Sequence, residues 1–426
     1  SKMYYTPNKE NNVFQLVVQY GAGEREFPKL GYAAQLMNNA GIMGAYEPQE
    51  LKEELSKLNA TCHVTADDDN LYIIMEGYEA TLPQACQLLS RQILMPKLDE
   101  KQLARLKGSA MGMRQQRKDN VSILNEALRQ YMLYGEKSDY IKELTDKEIY
   151  ELQISELTGD INRASNYEAK VFFTGTLPFD QVYDILSKNL PLVANERPSN
   201  SPQAKDMMPV TENTVYFLPN NDAEQAQIHL YIPMQKADKK DDVLRSAFNQ
   251  YFGLDFTGIV LNEIREKRSM AYTAYAFVGT QGIAGKASYL RGYIGTQNDK
   301  ANDALDVLMG LVNDMPKNPE RIDNIKSYLR QAMLTSHPSF RNKAMELVDL
   351  GYRGYTDDPA KENLPKVDAL TFDDIVKFYE ENIKDKPYCI SIMGNPKNID
   401  LKRLEKFGKV VKLNERKLFN TKDALF

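Results

Sequence analysis

Hydrolytic or redox chemistry needs a metal, an activated nucleophile or a phosphate cradle, and few residues in this sequence could supply one. There are three histidines, His63, His229 and His337, more than a hundred residues apart. No H-x-x-x-H or H-x-x-E-H helix pair is therefore available to hold zinc. Cys62 and His63 are neighbours in a β-like stretch, where adjacent side chains point to opposite faces and cannot share an ion. The three cysteines, Cys62, Cys86 and Cys389, are odd in number and far apart, which predicts buried free thiols rather than a disulfide framework or a Cys-based zinc site. Asp67-Asp68-Asp69 lacks the glycine and terminal glutamate of a calcium loop and reads as a solvated turn between strands. Neither a G-x-x-x-x-G-K-[ST] loop nor a G-x-S-x-G elbow occurs. Gly41-Ile42-Met43-Gly44 reads as a helix stop and turn. What remains is a charged run, Glu263, Arg265, Glu266, Lys267 and Arg268, on an expected helix. It is followed by Ala271-Tyr272-Thr273-Ala274-Tyr275-Ala276-Phe277, which alternates as a strand should. By residue type alone the run is a solvated helix face and Tyr272 a half-buried strand residue.

The elements that position these residues fall into two similar sets. At 426 residues the chain has room for two to four domains. The 54 Lys+Arg against 59 Asp+Glu give a net charge of −5 without long single-sign blocks, which argues against a nucleic-acid footprint. No apolar run approaches the roughly 18–20 residues of a membrane span, and stretches such as Leu71-Tyr72-Ile73-Ile74-Met75 fit single strands. A soluble protein is expected, with periplasm and cytoplasm both open. Residues 196–211, Glu196 to Thr211, are polar, carry three prolines and show no period, and they read as a linker. The expected units are 1–195 and 212–426. Each opens with an apolar strand, Val13–Tyr20 or Gln227–Ile232. Each continues with a second strand leading into a helix, Tyr72–Gly77 before Thr81–Leu94 and Arg291–Gly295 before Ala301–Val312. Both then show Leu-Thr-x-x-(Glu/Asp)-Ile, at Leu144-Thr145 and Leu370-Thr371, a strand ending in Gly175 or Gly394, and a last helix near Phe179–Asn189 or Asp400–Phe407. The expectation is two copies of one α+β unit, each a mostly antiparallel sheet packed with helices.

The segment running from Phe252 to Tyr272 resembles a motif of the pitrilysin, or insulinase-like, zinc metallopeptidase family. There the pattern ends in Ile/Leu-Arg-Glu-x-x-Gly-Leu-Ala-Tyr. Ile264-Arg265-Glu266 and Ala271-Tyr272 match it with the Arg-to-Tyr spacing kept, while Ser269 and Met270 stand for its glycine and leucine. The duplicated layout is also similar, since two repeated α+β domains form one half of that family's hollow, clamshell-shaped protease. The family's Gly-Leu-x-His-x-x-Glu-His helix corresponds to Gly31-Tyr32-Ala33-Ala34-Gln35-Leu36-Met37-Asn38. Ala34 and Asn38 stand where the two histidine ligands would be, and Met37 where the base would be. The third ligand would fall near Met111–Arg114, which contains no carboxylate.

The resemblance therefore implies a non-catalytic half or subunit that binds no cofactor of its own. Its partner would be a zinc-bearing H-x-x-E-H half and its substrates peptides. The site residues it implies are Arg265 and Tyr272. Zinc-activated water attacking a peptide carbonyl develops negative charge on the carbonyl oxygen. A tyrosine hydroxyl keeps its proton at neutral pH and can donate to that oxygen, and an arginine fork can hold substrate carbonyls. The start at Ser1 is compatible with an excised C-terminal half or a processed subunit. Two other readings stay open: an inactive structural or assembly relative of the same fold, and a peptide-binding module that adds a strand at a sheet edge.

Overall fold

The computed structural model describes residues 1–190, 197–254 and 256–424. Two open sheets organise the chain. The first is built from β1 (Lys2–Pro7), β2 (Val13–Tyr20), β3 (Thr61–Ala66), β4 (Leu71–Tyr78) and β5 (Ala169–Gly175), in the order β1-β5-β2-β4-β3. The second is built from β6 (Thr214–Pro219), β7 (Gln225–Lys236), β8 (Ala271–Thr280), β9 (Ala287–Gln297), β10 (Cys389–Gly394) and β11 (Lys409–Lys412), in the order β8-β9-β7-β10-β6-β11. In the first sheet only the β1–β5 pair is parallel. The second repeats that pattern, with β6–β10 parallel and β10–β7, β7–β9 and β9–β8 antiparallel, and adds β11 parallel to β6. The fold is thus α+β with mostly antiparallel sheets.

Strand periodicity decides what each face meets. Along β2, Phe14, Leu16 and Val18 point into a core completed by α1 (Leu30–Met37), α2 (Leu82–Leu94) and α5 (Phe179–Asn189). Val17, between them, points the other way, yet it too is buried, with Phe172 of β5. The second sheet behaves alike. Ile228, Leu230 and Ile232 of β7 join the core beneath α6 (Asp242–Phe252) and α7 (Ala301–Asn313), while Tyr231 faces the other side.

Each of these second faces is covered by a helix from the other half of the chain. On the first sheet it is α8 (Lys343–Tyr352), through Ala344, Met345 and Val348. On the second it is α4 (Val121–Tyr134), whose Leu124 and Leu128 pack with Leu218 and Met393, and whose Met132 and Leu133 pack with Tyr231 and Cys389. Under α4, the His229 ring shares a hydrogen bond of 2.9 Å with Asn125 Oδ1. Burial holds this imidazole's pKa down to about 3, with the Arg291 and Arg129 charges adding to the effect.

The Leu-Thr-x-x-(Glu/Asp)-Ile repeat is a capping box in both places. Thr145 accepts from Glu148 N, and Thr371 from Asp374 N, with the acidic side chain returning the bond each time. Of the linker, Glu196 lies outside the described residues, as do residues 191–195 of the first expected unit. Residues 197–211 make no regular element beyond the bridge of Arg197 to Tyr167, but they are tied down along their length. Asn200 N donates to Gly21 O (2.9 Å), Met208 N to Leu133 O (2.7 Å) and Tyr231 Oη to Met208 O (3.0 Å).

One polar device occurs twice. The Asn38 side chain, just past α1, donates to Val64 O (2.8 Å) and accepts from Val64 N (2.7 Å) on edge strand β3. Asn249 of α6 does the same to Val278 on edge strand β8, at 3.0 and 2.6 Å. A carboxamide presents the same donor and acceptor as a peptide unit, so each asparagine stands in for one residue of a missing neighbour strand.

Asn38→Ala and Asn249→Ala each strand one backbone N–H and one C=O, and each is expected to cost about 1–2 kcal/mol in urea unfolding. Because His229 is neutral when folded, the unfolded chain alone takes up its proton as pH falls from about 6.5 toward 3. Stability from this residue is full above that window and falls by about 2 kcal/mol by pH 5. His229→Gln should flatten the decline in unfolding free energy measured across that range.

Candidate functional site

The segment after α6 folds back on itself to form the site. A helical turn, Ile259–Leu261, widens into a π-helical turn over Asn262–Glu266. Ile259, Val260, Leu261 and Ile264 are buried, so the turn is anchored by its apolar side. Arg265 and Glu266 are left facing outward. Ser269 then takes a left-handed conformation, φ 49°, which lets its N–H reach Arg265 O (2.9 Å) and the next N–H, of Met270, reach Ile264 O (3.0 Å). The family motif has glycine here, the residue that adopts this conformation without Cβ strain. Serine keeps the same reversal.

The chain enters β8 directly afterwards, and pairing with β9 begins irregularly. Ala271 lies opposite Thr296 and Thr273 opposite Gly295, so Tyr272 is the extra residue of a β-bulge. A bulge turns its side chain out of the regular alternation, and the Tyr272 ring is 66% exposed. Beyond it the alternation resumes, with Ala274, Ala276 and Val278 buried. The outer edge of β8 is occupied there, since Gly253 O accepts from Ala276 N (3.0 Å) and Asn249 holds Val278.

Arg265 and Tyr272 line one open cleft of about 420 Å³, together with Glu266, Ser269, Gln297 and Lys300. The Arg265 guanidinium touches only the Glu266 carboxylate, through Nε at 3.5 Å, and its two terminal nitrogens are unengaged among the described residues. Lys300 Nζ makes one long bond, 3.4 Å, to Ser269 O. The Tyr272 hydroxyl and the Gln297 amide have no partner among the described residues. Glu263, by contrast, is paired with both Lys267 and Arg268, at 2.5 Å each. Two parts of the charged run thus separate, a salt-bridged surface triad and a cleft of unused donors. Gln297 and Lys300 carry no spacing signal in the sequence; they arrive through the junction between β9 and α7.

The helix that resembles the zinc helix is α1. Ala34 and Met37 are both 2% exposed and belong to the core. Asn38 is committed to Val64. The exposed residues of α1 and its end are Gln35 and Asn39. Neither set offers an imidazole or a carboxylate, so the residues present do not fit a catalytic zinc ion. On α3 (Glu100–Gln116), Arg114 pairs with Asp146 at 2.7 Å and with Glu143 at 3.5 Å, its side chain almost fully buried. Among the described residues no three of His, Cys, Asp and Glu are grouped as metal ligands. On β3, Cys62 packs toward the core while His63 is exposed, and burial pushes the Cys62 thiol up to about 12. Among the described residues no helix is long and apolar enough to cross a membrane.

Fold and site together define an α+β chain in which the helix that resembles a zinc helix holds no ligands. Residues 165–329 match the family model of the peptidase M16 inactive domain. The same fold is found in the crystal structure of a peptidase M16 inactive domain from Pseudomonas fluorescens, at 16% identity and TM-score 0.72, over 93% of this chain and 97% of that one. A protease from Helicobacter pylori is similar at 14% identity and TM-score 0.66, over 92% and 96%. The periplasmic protease PqqL from Escherichia coli is similar at 13% identity and TM-score 0.68, over 91% of this chain but only 43% of its own. No curated protein sequence matches the chain.

If the left-handed turn between Arg265 and Tyr272 is tolerated rather than required to be serine, Ser269→Gly should relieve strain. The expected gain is about 1 kcal/mol in denaturant unfolding.

Proposed function

We propose that this chain is the non-catalytic half, or a separate subunit, of a peptide-degrading zinc metallopeptidase. It lines the chamber and supplies Arg265 and Tyr272 to a zinc site on a partner half that carries H-x-x-E-H. The observation that carries the reading is the cleft beside β8. There a bulge turns Tyr272 outward with its hydroxyl unengaged, next to an arginine whose terminal nitrogens are unengaged. Two such donors are left unpaired where an external acceptor would complete them. The proposed roles follow from their chemistry. Tyr272 donates a hydrogen bond to the carbonyl oxygen as it gains negative charge, and Arg265 holds substrate carbonyls or orients the tyrosine. The zinc and the water it activates belong to the partner half and supply the attack.

Two supporting facts concern architecture. The two sheets share strand order and polarity, and each carries the same asparagine clamp on its edge strand. We read these as two copies of one unit, 1–195 and 212–426, joined by 196–211. The chain also spans 43% of PqqL, which suits one half of a two-half protease. Peptide substrates and a heterodimeric or covalently joined partner are part of this proposal.

The experiment is peptidase assay of this chain alone and mixed with an H-x-x-E-H half, with bound zinc quantified. The chain alone should be inert, and the mixture should cleave peptides. Tyr272→Phe should lower kcat of the mixture by about 10²–10³, the scale for losing one oxyanion donor. A mixture whose rate ignores the substitution removes the role given to Tyr272 and leaves a scaffold function.

A further inference from the structure

Four side chains with spare donors converge on the cleft beside β8, and their charges do not balance. Arg265 and Lys300 contribute two cations, and Glu266 is the one carboxylate lining the cleft. Glu266 meets Arg265 at a single long contact of 3.5 Å and is itself exposed, so it neutralises the guanidinium weakly. Lys300 has no carboxylate partner among the described residues; its one bond is to the Ser269 carbonyl. Tyr272 and Gln297 add neutral donors. A peptide carbonyl could use the tyrosine, but it would leave one net positive charge uncompensated in a cleft that substrate dehydrates. A carboxylate satisfies both, accepting the planar fork of the arginine and the point charge of the lysine.

We propose that this cleft is a carboxylate subsite for peptide substrates, with Lys300 as its specificity-determining residue and Gln297 as an auxiliary donor. The carboxylate is either the peptide's C-terminus or an acidic side chain; both present the same group. The inference deepens the reading of the cleft as a substrate-contacting site, but its test requires no partner half and no zinc.

The test is equilibrium binding by fluorescence anisotropy, at low ionic strength, using the full chain and three labelled peptides of one short apolar sequence. One ends in a free carboxylate, one in an amide, and one in an amide with a single internal glutamate. One or both acids should bind about tenfold tighter than the neutral amide, and added salt should shrink the preference. The acid that is preferred identifies the source of the carboxylate. Lys300→Gln should bring the preferred acid down to the affinity of the neutral amide, and Lys300→Arg, which keeps the charge, should retain the preference. Equal binding of the three peptides overturns the proposal. So does a preference that survives Lys300→Gln, or failure of both acids to bind at millimolar concentration. Loss of activity in the two-half mixture is a separate outcome that bears on Tyr272 and the partner, so the two readings can fail independently.

Discussion

Both sheets are apolar on both faces, and this constraint shapes the rest of the molecule. A sheet with one wet face can stand alone beside its own helices, whereas a sheet with two dry faces needs a second cover. Here the cover comes from the opposite half of the chain. Val17 and Phe172 are shielded by Ala344 on α8, and Tyr231 and Met393 by α4. The exchange is reciprocal, so neither sheet keeps its full burial if the halves separate. It also explains why residues 197–211, polar and proline-containing as a linker should be, are bonded along their path to both sheets' surroundings.

The same packing raises a second problem, the open edges of the sheets. An edge strand leaves backbone donors and acceptors ready to pair with a foreign strand. Asn38 and Asn249 occupy those groups at Val64 and Val278, and Gly253 occupies another on β8. What is left open on β8 is its bulged beginning, where Tyr272 turns outward beside Arg265. The clamps cover Val64 and Val278 and leave the bulged start of β8 open. The position that resembles a zinc ligand, Asn38, has a structural task in the same scheme, holding the edge strand rather than a metal.

Much of the fold was legible from residue patterns because its causes are local. Apolar runs marked β2 and β4, period-two alternation marked β8, and the paired Leu-Thr-x-x-(Glu/Asp)-Ile strings fall at two helix starts, where a capping box closes over four residues. The site was legible only in part. Arg265 and Tyr272 sit in one continuous segment and stand out only through its resemblance to a family motif. Gln297 and Lys300 cannot, because they reach the cleft through the pairing of β8 with β9, which brings together residues some thirty apart. Nor does the sequence reveal that Asn38 and Asn249 play one role, since a carboxamide is commonplace until a particular backbone pair lies opposite it.

By itself, then, the sequence determined the α+β class, several strands and helices of each half though not β1, β6 or β11, the absence of histidine pairs for zinc, and the segment that carries the candidate residues. These follow from side-chain type, period and spacing along the chain. Only the tertiary structure decided which helix covers which sheet, that Tyr272 is the bulged residue, and that two cations face one carboxylate in its cleft. Those outcomes depend on strand register and long-range burial, energies that arise only when distant segments meet.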